Sequence, residues 1–548
     1  MSPTQVGARE RGWSEVSGNA GNRWNRSRDE AVRALRLRRR KARYVWYVRS
    51  APAVRRLRSA PPQTRRTWQL TAGSVAVGLT VALTAVTVAG PWDSGQRTAE
   101  RARAAEFGSD SGAHHTGANP AAPGDDARLG GPGDLPAALL DSAPSAPPVL
   151  GAAEDGAPPA RGALRKKLAP LLGDPALGTV RTASVRDAVT GEELFRDDSG
   201  KALTPASTVK LATGAAALTA LGADHRLTTR TVWDPLERRV LLVGGGDPTL
   251  TDEQLAALAD RTVAALEERE LRPRGVGYDT SRYDGDSAHP IGVNDNIAPI
   301  TPLMLNAARL DDSQYGPARR AADPAADAGA RFAELLARRL PGRDDGPPEP
   351  AVQATAPQKA EELAAHRSAP LSSLVERTLT HSDNDLAEAL FREVALAAGE
   401  PADFAGGGRA VRAELKKLDL PLSGARFADG SGLSRADQVS ARFLTALLDR
   451  AGDSDRPELG PLLSGLPVAG FTGTLGSRYT AEDRAAGAGV VRAKTGTLTG
   501  VDALAGTVVD ADGRPLTYAF LSSGSTDPSA ARAVLDRLAA TVAGCGCR

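Results

Sequence analysis

An uncharged apolar stretch near the amino-terminal end divides the chain into two unlike parts. It comprises the 22 residues Trp68 to Ala89, and as a helix it would span about 33 Å, enough to cross a hydrocarbon layer of about 30 Å. Residues 1–67 carry 18 Lys/Arg and 4 Asp/Glu, so the net charge of +2 for all 548 residues hides a basic tail and an acidic remainder. The positive-inside pattern predicts a cytoplasmic tail at 1–67, one transmembrane helix at 68–90, and an extracytoplasmic protein after it.

A cleaved signal peptide is the alternative interpretation of the same stretch. Thr87-Val88-Ala89 offers a small-residue cleavage site, and cleavage would release a secreted protein. The charged tail is far longer than a usual n-region, and the apolar run exceeds a usual h-region. These lengths favour the uncleaved anchor, with the cell membrane as a partner of the chain.

Composition separates a linker from the part of the chain that can fold. Within residues 111–160, 38 of 50 are Ala, Gly, Pro, Ser or Asp, and such a segment cannot bury enough apolar surface to offset its ordering entropy. We therefore interpret 91–160 as a flexible linker. The basic surplus lies in the tail alone, which argues against nucleic-acid binding. Two cysteines in 548 residues exclude a small disulfide scaffold.

Strand patterns at the two ends of the remaining sequence predict one antiparallel sheet. Residues 179–197 alternate in polarity and turn at Thr190-Gly191, which is typical of a β-hairpin. Residues 490–523 contain three consecutive strand patterns, and a helical pattern follows at 527–544. Helices before the hairpin and after the last strand would pack on this sheet. The long middle segment predicts further helices and an inserted region.

Ser207 and Lys210 form the first of three short motifs that carry chemistry. Of the nine lysines, only Lys210 has a serine three residues before it. Positions i and i+3 share one helix face, so the amine would lie beside the hydroxyl. A serine hydroxyl is a weak nucleophile until a base takes its proton, and a lysine with a lowered pKa can be that base. Alone, the pattern is more often an exposed helix face.

Two further motifs follow along the chain. Ser-Asp-Asn at 382–384 lies in a polar break between two predicted helices, where these residue types are also common helix caps. Lys-Thr-Gly-Thr at 494–497 ends a predicted strand, and Lys-Thr-Gly occurs nowhere else in the chain. Its lysine could hold a substrate carboxylate, its second threonine could donate a backbone N–H to an oxyanion, and its glycine would let a ligand approach the strand edge.

The order Ser-x-x-Lys, Ser-x-Asn, Lys-Thr-Gly is shared by penicillin-binding proteins and class A β-lactamases. Longer stretches sharpen the resemblance: LVGGGDPTL at 242–250, PITPLMLNAARLDD at 299–312, HSDNDLAEAL at 381–390, DGSGLSR at 429–435 and AKTGTLTGV at 493–501. From about Ala163 onward the chain resembles the D-alanyl-D-alanine carboxypeptidase/endopeptidase family of class C low-molecular-mass penicillin-binding proteins, the S13 peptidases.

The resemblance implies an α+β fold of the β-lactamase/transpeptidase type, in which a five-stranded antiparallel sheet lies between helices in an αβα arrangement. The catalytic domain would comprise residues 161–228 and 356–548, separated by an inserted accessory domain at 229–355. Family members typically carry a longer insertion. After residue 312 this chain passes almost directly to a predicted helix, so one inserted subdomain is expected to be missing or much reduced.

The resemblance also implies roles for single residues. Ser207 would attack the penultimate D-Ala carbonyl of a peptidoglycan stem peptide while Lys210 takes its proton, and β-lactam antibiotics would acylate Ser207 in the same way. Ser382 would relay a proton to the leaving amine, Asn384 would orient Lys210 and the substrate amide, and Lys494 would bind the terminal carboxylate. Further substrate contacts are expected from Thr495, Gly496, Thr497, Leu498, Ser431, Leu433 and Arg435.

No metal or organic cofactor is implied. The six histidines form no His-x-x-x-His pair, which argues against a zinc peptidase, and the absence of Gly-x-Ser-x-Gly from the sequence argues against an α/β-hydrolase. Three functions stay open: a D-Ala-D-Ala carboxypeptidase with or without endopeptidase activity, a β-lactamase of the same superfamily, and a wall-binding scaffold without activity. The complete catalytic set favours an enzyme, and the rate of deacylation would separate the first two.

Overall fold

The computed structural model describes residues 156–340 and 350–546. None of the helices in these two stretches combines the length and the apolar character that a membrane crossing requires. The segment at 68–90 that is predicted to cross the membrane lies outside the described residues, as do the tail at 1–67 and the linker up to residue 155. Membrane anchoring therefore stays a prediction from the sequence.

Strands and helices alternate irregularly along the described residues. The strands are β1 (Val180–Asp187), β2 (Glu193–Asp197), β3 (Ala202–Leu203), β4 (Thr228–Asp234), β5 (Arg239–Val243), β6 (Gly275–Asp279), β7 (Val352–Gln353), β8 (Glu361–Arg367), β9 (Val439–Ser440), β10 (Arg492–Leu498), β11 (Val501–Val509) and β12 (Pro515–Ser523). The α-helices are α1 (Arg161–Leu172), α2 (Lys210–Leu221), α3 (Asp252–Glu268), α4 (Pro324–Ala337), α5 (Leu371–Thr380), α6 (Asn384–Ala397), α7 (Phe404–Lys416), α8 (Ala441–Ala451), α9 (Pro461–Ser464) and α10 (Pro528–Ala543).

The main sheet joins the two ends of the described chain. Its five strands lie in the order β10-β11-β12-β1-β2, and every neighbouring pair is antiparallel. The central pairing places Val180 of β1 opposite Ser523 of β12. Because the first and last strands pair side by side, the long middle segment must leave the sheet after β2 and return at β10.

Helices cover both faces of this sheet, as the alternation along β11 requires. Ala503 and Ala505 belong to a buried cluster with helices α2 and α5 to α9, whereas Leu504 and Val508 belong to a second cluster with α1 and α10. Successive side chains of a strand point to opposite faces, so small residues meet the closely packed helices and larger ones meet the other layer. The result is a three-layer α/β/α arrangement with an antiparallel sheet.

A second sheet forms the inserted region. Its strands lie in the order β7-β6-β5-β4-β8; the β5–β6 and β6–β7 pairs are parallel, and the other two pairs are antiparallel. Helices α3 and α4 pack on it through a separate apolar cluster. This sheet begins at Thr228 and ends at Arg367, so it continues beyond residue 355. Between β6 and α4 the chain is irregular and contributes to the site described next.

Candidate active site

Three predicted motifs that are far apart in sequence line one cavity. Ser207 lies in a 3₁₀ turn directly before α2, Ser382 lies between α5 and α6, and Thr495 lies on β10. Two backbone positions here are left-handed, with φ of 47° at Ala206 and 55° at Ser382. Left-handed backbone at residues other than glycine costs about 1–3 kcal/mol and persists where the surrounding structure enforces it. The turn that carries Ser207 and the turn at Ser382 therefore each contain one strained backbone position.

Lys210 is fully buried and holds the nucleophile motif together. Its Nζ donates to Ser207 Oγ at 3.0 Å, to Asn384 Oδ1 at 2.7 Å and to the backbone oxygen of Ser431 at 2.6 Å. Burial lowers the pKa of Lys210 to about 8, and the nearby carboxylates of Asp429 and Glu388 partly oppose that shift. A lysine with this pKa is poised to accept the proton of a hydroxyl 3.0 Å away.

Lys494 is also fully buried, and it contacts the Ser-Asp-Asn motif. Its Nζ donates to Ser382 Oγ at 2.9 Å and to the backbone oxygen of Thr495 at 2.8 Å. Burial, followed by repulsion from Lys210, lowers the pKa of Lys494 well below its usual value. The Thr495 hydroxyl donates to Thr474 Oγ1 at 2.9 Å. An anion bound here would favour the charged form of Lys494.

The cavity between these groups has a volume of about 390 Å³. Seven of the predicted site residues line it: Ser207, Ser382, Asn384, Leu433, Thr495, Thr497 and Leu498. The inserted region contributes the opposing wall through Asn296, Arg309, Tyr315, Gly316, Pro317 and Arg320. The Nδ2 of Asn384 donates to the backbone oxygen of Asn296 at 2.9 Å, which ties the Ser-Asp-Asn motif to that wall.

Three residues predicted to contact substrate have other partners in the structure. A Cβ on Gly496 would lie 2.5 Å from the Pro205 carbonyl oxygen, so glycine at this position admits the turn that carries the nucleophile. Ser431 is fully buried, and its backbone oxygen accepts from Lys210. Arg435 donates to the Thr499 carbonyl at 2.6 Å and is not among the residues that line the cavity.

A buried group of carboxylates holds the loop that presents Ser431 to Lys210. Glu388 is fully buried, and it accepts the N–H groups of Gly430 at 3.2 Å and Ser431 at 2.9 Å. Asp429 accepts the N–H groups of Gly432 and Ser434, both at 2.6 Å. Burial, followed by repulsion from Asp429, raises the pKa of Glu388 to about 7. The loop is therefore fixed by charge-assisted hydrogen bonds to its backbone.

His289 and Asp437 are the remaining members of this group. His289, from the inserted region, has Nε2 2.9 Å from Asp429 Oδ2, and its Nδ1 accepts the N–H of Ile291 at 3.3 Å. That second bond leaves the ring proton on Nε2, so His289 donates to Asp429. Asp437 accepts the N–H of Ala428 at 2.6 Å, and burial with repulsion from Asp429 raises its pKa to about 10, which keeps it neutral.

Donor atoms of His289, Glu388 and Asp429 lie within 4.8 Å of one another, as the ligands of a metal ion would. Both oxygens of each carboxylate already accept backbone N–H groups. Asp429 Oδ2, the atom nearest His289, accepts both from Ser434 N–H and from His289 Nε2, so both of its lone pairs are in use. We therefore interpret the three residues as a hydrogen-bonded group that supports the loop.

Comparison with known proteins places this constellation in a family. The model of the D-Ala-D-Ala carboxypeptidase 3 (S13) family matches residues 164–315 and 307–543, which is most of the described chain. A carboxypeptidase of Mycobacterium tuberculosis is 36% identical over 430 residues, covering 74% of this chain and 90% of that protein. The chain belongs to the S13 family.

Two further relatives extend the comparison. The D-alanyl-D-alanine carboxypeptidase of Actinomadura sp. is 31% identical over 503 residues, covering 76% of this S13 chain and 92% of that protein. The crystal structure of penicillin binding protein 4 from Haemophilus influenzae matches with a TM-score of 0.55 at 21% identity, covering 69% of this chain and 97% of that one. At that identity the structural match supports the shared fold alone.

Several residues of this S13 site were not predicted from the sequence. Glu388 offered a signal, because it lies four residues after Asn384 and so on the same helix face. Asp429 lies inside the DGSGLSR stretch but was not singled out. Arg309 lies inside the PITPLMLNAARLDD stretch, whereas His289, Asn296, Tyr315 and Arg320 lie about 60 to 120 residues before or after the motifs and outside the quoted stretches.

Proposed function

We propose that this protein is a serine-type D-Ala-D-Ala carboxypeptidase that acts on peptidoglycan stem peptides through an acyl-Ser207 intermediate. The observation that carries the proposal is the Ser207 hydroxyl 3.0 Å from the fully buried amine of Lys210. Family membership supports the substrate class. The same chemistry accommodates D,D-endopeptidase action, because a cross-link differs from a stem terminus only in the amine that leaves.

Acylation follows from the positions of the two lysines. The proton of the Ser207 hydroxyl passes to Lys210 Nζ while Oγ forms a bond to the penultimate D-Ala carbonyl carbon. Backbone N–H groups of Ser207 and Thr497 stabilise the oxyanion. The C–N bond then breaks, and the leaving amine takes a proton through Ser382 Oγ, which is 2.9 Å from Lys494 Nζ. Lys494 and Thr495 bind the terminal carboxylate of the substrate.

Deacylation consumes one water molecule, which attacks the ester carbon and returns the proton to Ser207 as the shortened peptide leaves. β-Lactams would acylate Ser207 by the same bond formation, with the lactam C–N bond as the one that breaks. We expect slow release of that adduct. The one carboxylate among the described residues that line the cavity, Asp383, accepts the N–H of Leu386 and pairs with Arg377, and the ring of His381 in the same lining is stacked on Tyr315.

Labelling with a fluorescent penicillin tests the nucleophile. We expect the wild type to form a stable band on a denaturing gel, and Ser207→Ala to lose it entirely. The exposed Ser373 on α5 offers a matched control, and Ser373→Ala should label like the wild type. Equal labelling of Ser207→Ala and wild type would contradict the proposal.

Mass spectrometry of a stem pentapeptide tests the reaction. The wild type should release D-Ala, and Ser207→Ala should do so at least about 10⁴-fold more slowly. Fast, complete turnover of penicillin would instead support the β-lactamase. Absence of both labelling and D-Ala release in the wild type would support the scaffold.

We further propose that residues 68–90 anchor the protein in the cell membrane with the catalytic part outside the cytoplasm. The uncharged segment and the basic tail before it support this topology. The full chain should sediment with membranes and resist carbonate extraction, while a chain that begins at residue 91 should not. Recovery of a soluble form processed after Ala89 would support the secreted alternative.

A further inference from the structure

A segment of the inserted region packs along helix α6, the helix that begins in the Ser-Asp-Asn motif. We term this segment, residues 282–298, the arm. The helix buries charged side chains, and both Arg392 and Glu393 are 1% exposed. An unpaired buried charge is costly, so these side chains need partners. The arm supplies them: Arg282 pairs with Glu393, and the Asp284 carbonyl accepts from Arg392 at 2.6 Å.

His289 lies in this arm, and its side chain is completely buried. The ring packs edge-on against Phe404 at 5.4 Å between centroids, and its Nδ1 accepts the N–H of Ile291 at 3.3 Å. These two contacts orient the ring. Its remaining N–H, at Nε2, is directed at Asp429 Oδ2, 2.9 Å away. The single donor of the imidazole is therefore given to a carboxylate of the catalytic part.

One peptide group connects Asp429 to the catalytic base. The N–H of this group belongs to Gly432 and donates to Asp429 Oδ1 at 2.6 Å. Its carbonyl belongs to Ser431 and accepts from Lys210 Nζ at 2.6 Å. A peptide group is planar, so its N–H and its carbonyl turn together. Rotation of the Asp429 carboxylate is therefore transmitted to an acceptor that positions Lys210.

We propose that His289 is a positioning residue for acylation: it orients Asp429, and thereby the peptide group that holds Lys210 beside Ser207. The inference rests on the proposed function and deepens it, because it makes the geometry of the same site depend on the inserted region. Proton transfer requires the base within about 2.6–3.2 Å of the hydroxyl, so the acylation rate should respond to small shifts of Lys210. Binding of a ligand in the cavity should respond much less.

The hydrogen bond from His289 also affects the charge beside Lys210. Burial would raise the pKa of Asp429, but hydrogen bonds from His289, Asp437 and the loop hold that pKa below its usual value. The charge of Asp429 in turn opposes the burial that lowers the pKa of Lys210. Loss of the His289 N–H should therefore favour protonation of Asp429 and lower the pKa of Lys210 further. The charged and titratable groups around the ring are Asp429 at 2.9 Å, Glu388 at 4.0 Å, Asp437 against Asp429, and Arg392 over the Phe404 ring.

Three substitutions at His289 test the proposal through acylation by penicillin. His289→Leu fills the space and donates no hydrogen bond. His289→Gln extends as far as Nε2 and can donate an amide N–H to Asp429, whereas His289→Asn is one methylene shorter and falls short of it. The last two variants place the same amide group at one buried position. A difference between them therefore measures the hydrogen bond to Asp429 and not the presence of a polar group.

Stopped-flow kinetics separate the acylation rate constant from the Kd of the complex that precedes it. We expect His289→Leu and His289→Asn to lower the rate constant by about ten-fold or more, and His289→Gln to restore most of it. The Kd for penicillin should stay within about two-fold of the wild type in all three. In the leucine and asparagine variants the ascending limb of the pH profile should also move to lower pH, by ~0.5 unit.

Tyr283 provides a matched control in the same arm. Its hydroxyl donates to Glu393 Oε1 at 3.1 Å, so it ties the arm to the carboxyl-terminal half of α6. Tyr283→Phe should lower the melting temperature and keep the acylation rate constant and the pH profile of the wild type. Thermal melting verifies that every variant is folded in the assay, and the glutamine and asparagine variants carry the test if His289→Leu does not fold.

Three results would overturn the proposal. The first is a wild-type acylation rate constant in His289→Leu or His289→Asn. The second is the same loss in His289→Gln as in His289→Asn, which would assign the effect to packing of the ring. The third is the same loss in Tyr283→Phe, which would assign it to the stability of the arm as a whole.

Penicillin acylation keeps this test separate from the proposed peptidase activity. A protein that releases D-Ala, and whose acylation does not depend on His289, would overturn this inference and leave the proposed function intact. A protein that releases no D-Ala, but whose acylation by penicillin depends on the His289 N–H, would do the reverse.

Discussion

Lys210 and Lys494 are both fully buried within one active site, but their surroundings differ. Lys210 donates to three fixed acceptors, and four carboxylates act on it electrostatically: those of Asp429, Glu388, Asp383 and Asp385. Lys494 has two hydrogen-bond acceptors among the described residues, and the charge that acts on it most is that of Lys210. The pKa of Lys210 is lowered to about 8, and burial lowers the pKa of Lys494 well below its ordinary value.

This difference suits the two lysines to different tasks. Lys210 carries its own compensating charges, so it can gain and lose a proton near neutral pH without a ligand. No carboxylate of the described residues is hydrogen-bonded or ion-paired to Lys494, and a substrate carboxylate would supply one. We therefore expect Lys210 to act as the base and Lys494 to bind the anion, with its charged form stabilised by the substrate.

The largest effect is expected when each lysine is replaced by arginine, because this change should affect the two tasks differently. An arginine cannot lose its proton, so Lys210→Arg should lower the second-order rate of penicillin acylation by about 10³-fold. Lys494→Arg keeps the positive charge and should cost about ten-fold, mainly through KM for peptide substrates.

Stopped-flow acylation and steady-state kinetics check this prediction, with thermal melting to verify that both variants fold. Equal losses of acylation rate in the two variants would contradict the proposed difference between the two lysines.

A smaller effect is expected at Glu388, whose charge raises the pKa of Lys210. Glu388→Gln removes that charge and should lower the pKa of Lys210. Because the base acts in its neutral form, the ascending limb of the pH profile for acylation should move to lower pH by ~0.5–1 unit. The loop also loses one acceptor, so the plateau rate should fall a few-fold.

Glu393 offers a matched control on the same helix, since it is buried and pairs with Arg282 away from the cavity. Glu393→Gln should leave the pH profile in place even if it lowers the melting temperature. If the ascending limb of the pH profile for acylation does not move in Glu388→Gln, the Glu388 carboxylate only positions the loop.

The smallest effect is expected at Asp437, the neutral acid beside Asp429. Its pKa is about 10 in the folded protein and near 3.8 when unfolded, so folding takes up a proton at intermediate pH. Its contribution to stability is fully present below pH 3.8 and declines as pH rises toward 10. Asp437→Asn removes this dependence.

The melting temperature of Asp437→Asn minus that of the wild type should therefore increase from pH 5 to pH 9, by roughly 3 °C or more. Differential scanning calorimetry at the two pH values measures this change. A difference that is constant with pH, or that shrinks, would show that Asp437 is ionised in the folded protein and that Asp429 is not the sole charge of the pair.

Local sequence patterns predicted much of the main sheet and the catalytic motifs. The alternation in 490–523 corresponds to β10, β11 and β12, and the three-residue spacing of Ser207 and Lys210 places their side chains 3.0 Å apart. Both depend on neighbours within a few residues, where backbone periodicity decides which side chains share a face. At Gly496 the structure adds a second reason for glycine that no local pattern could reveal, because the Pro205 carbonyl that needs the space lies nearly 300 residues away.

The sequence by itself therefore determined the chemical groups, their order and the short-range spacings, since these follow from helix and strand periodicity. Only the tertiary structure decided that His289 and residues 309–320 of the inserted region meet the motifs, and that both lysines are buried beside different charges. Burial and electrostatic interaction depend on distance in space rather than along the chain. The pKa values that distinguish Lys210 from Lys494 thus arise only when distant segments fold together.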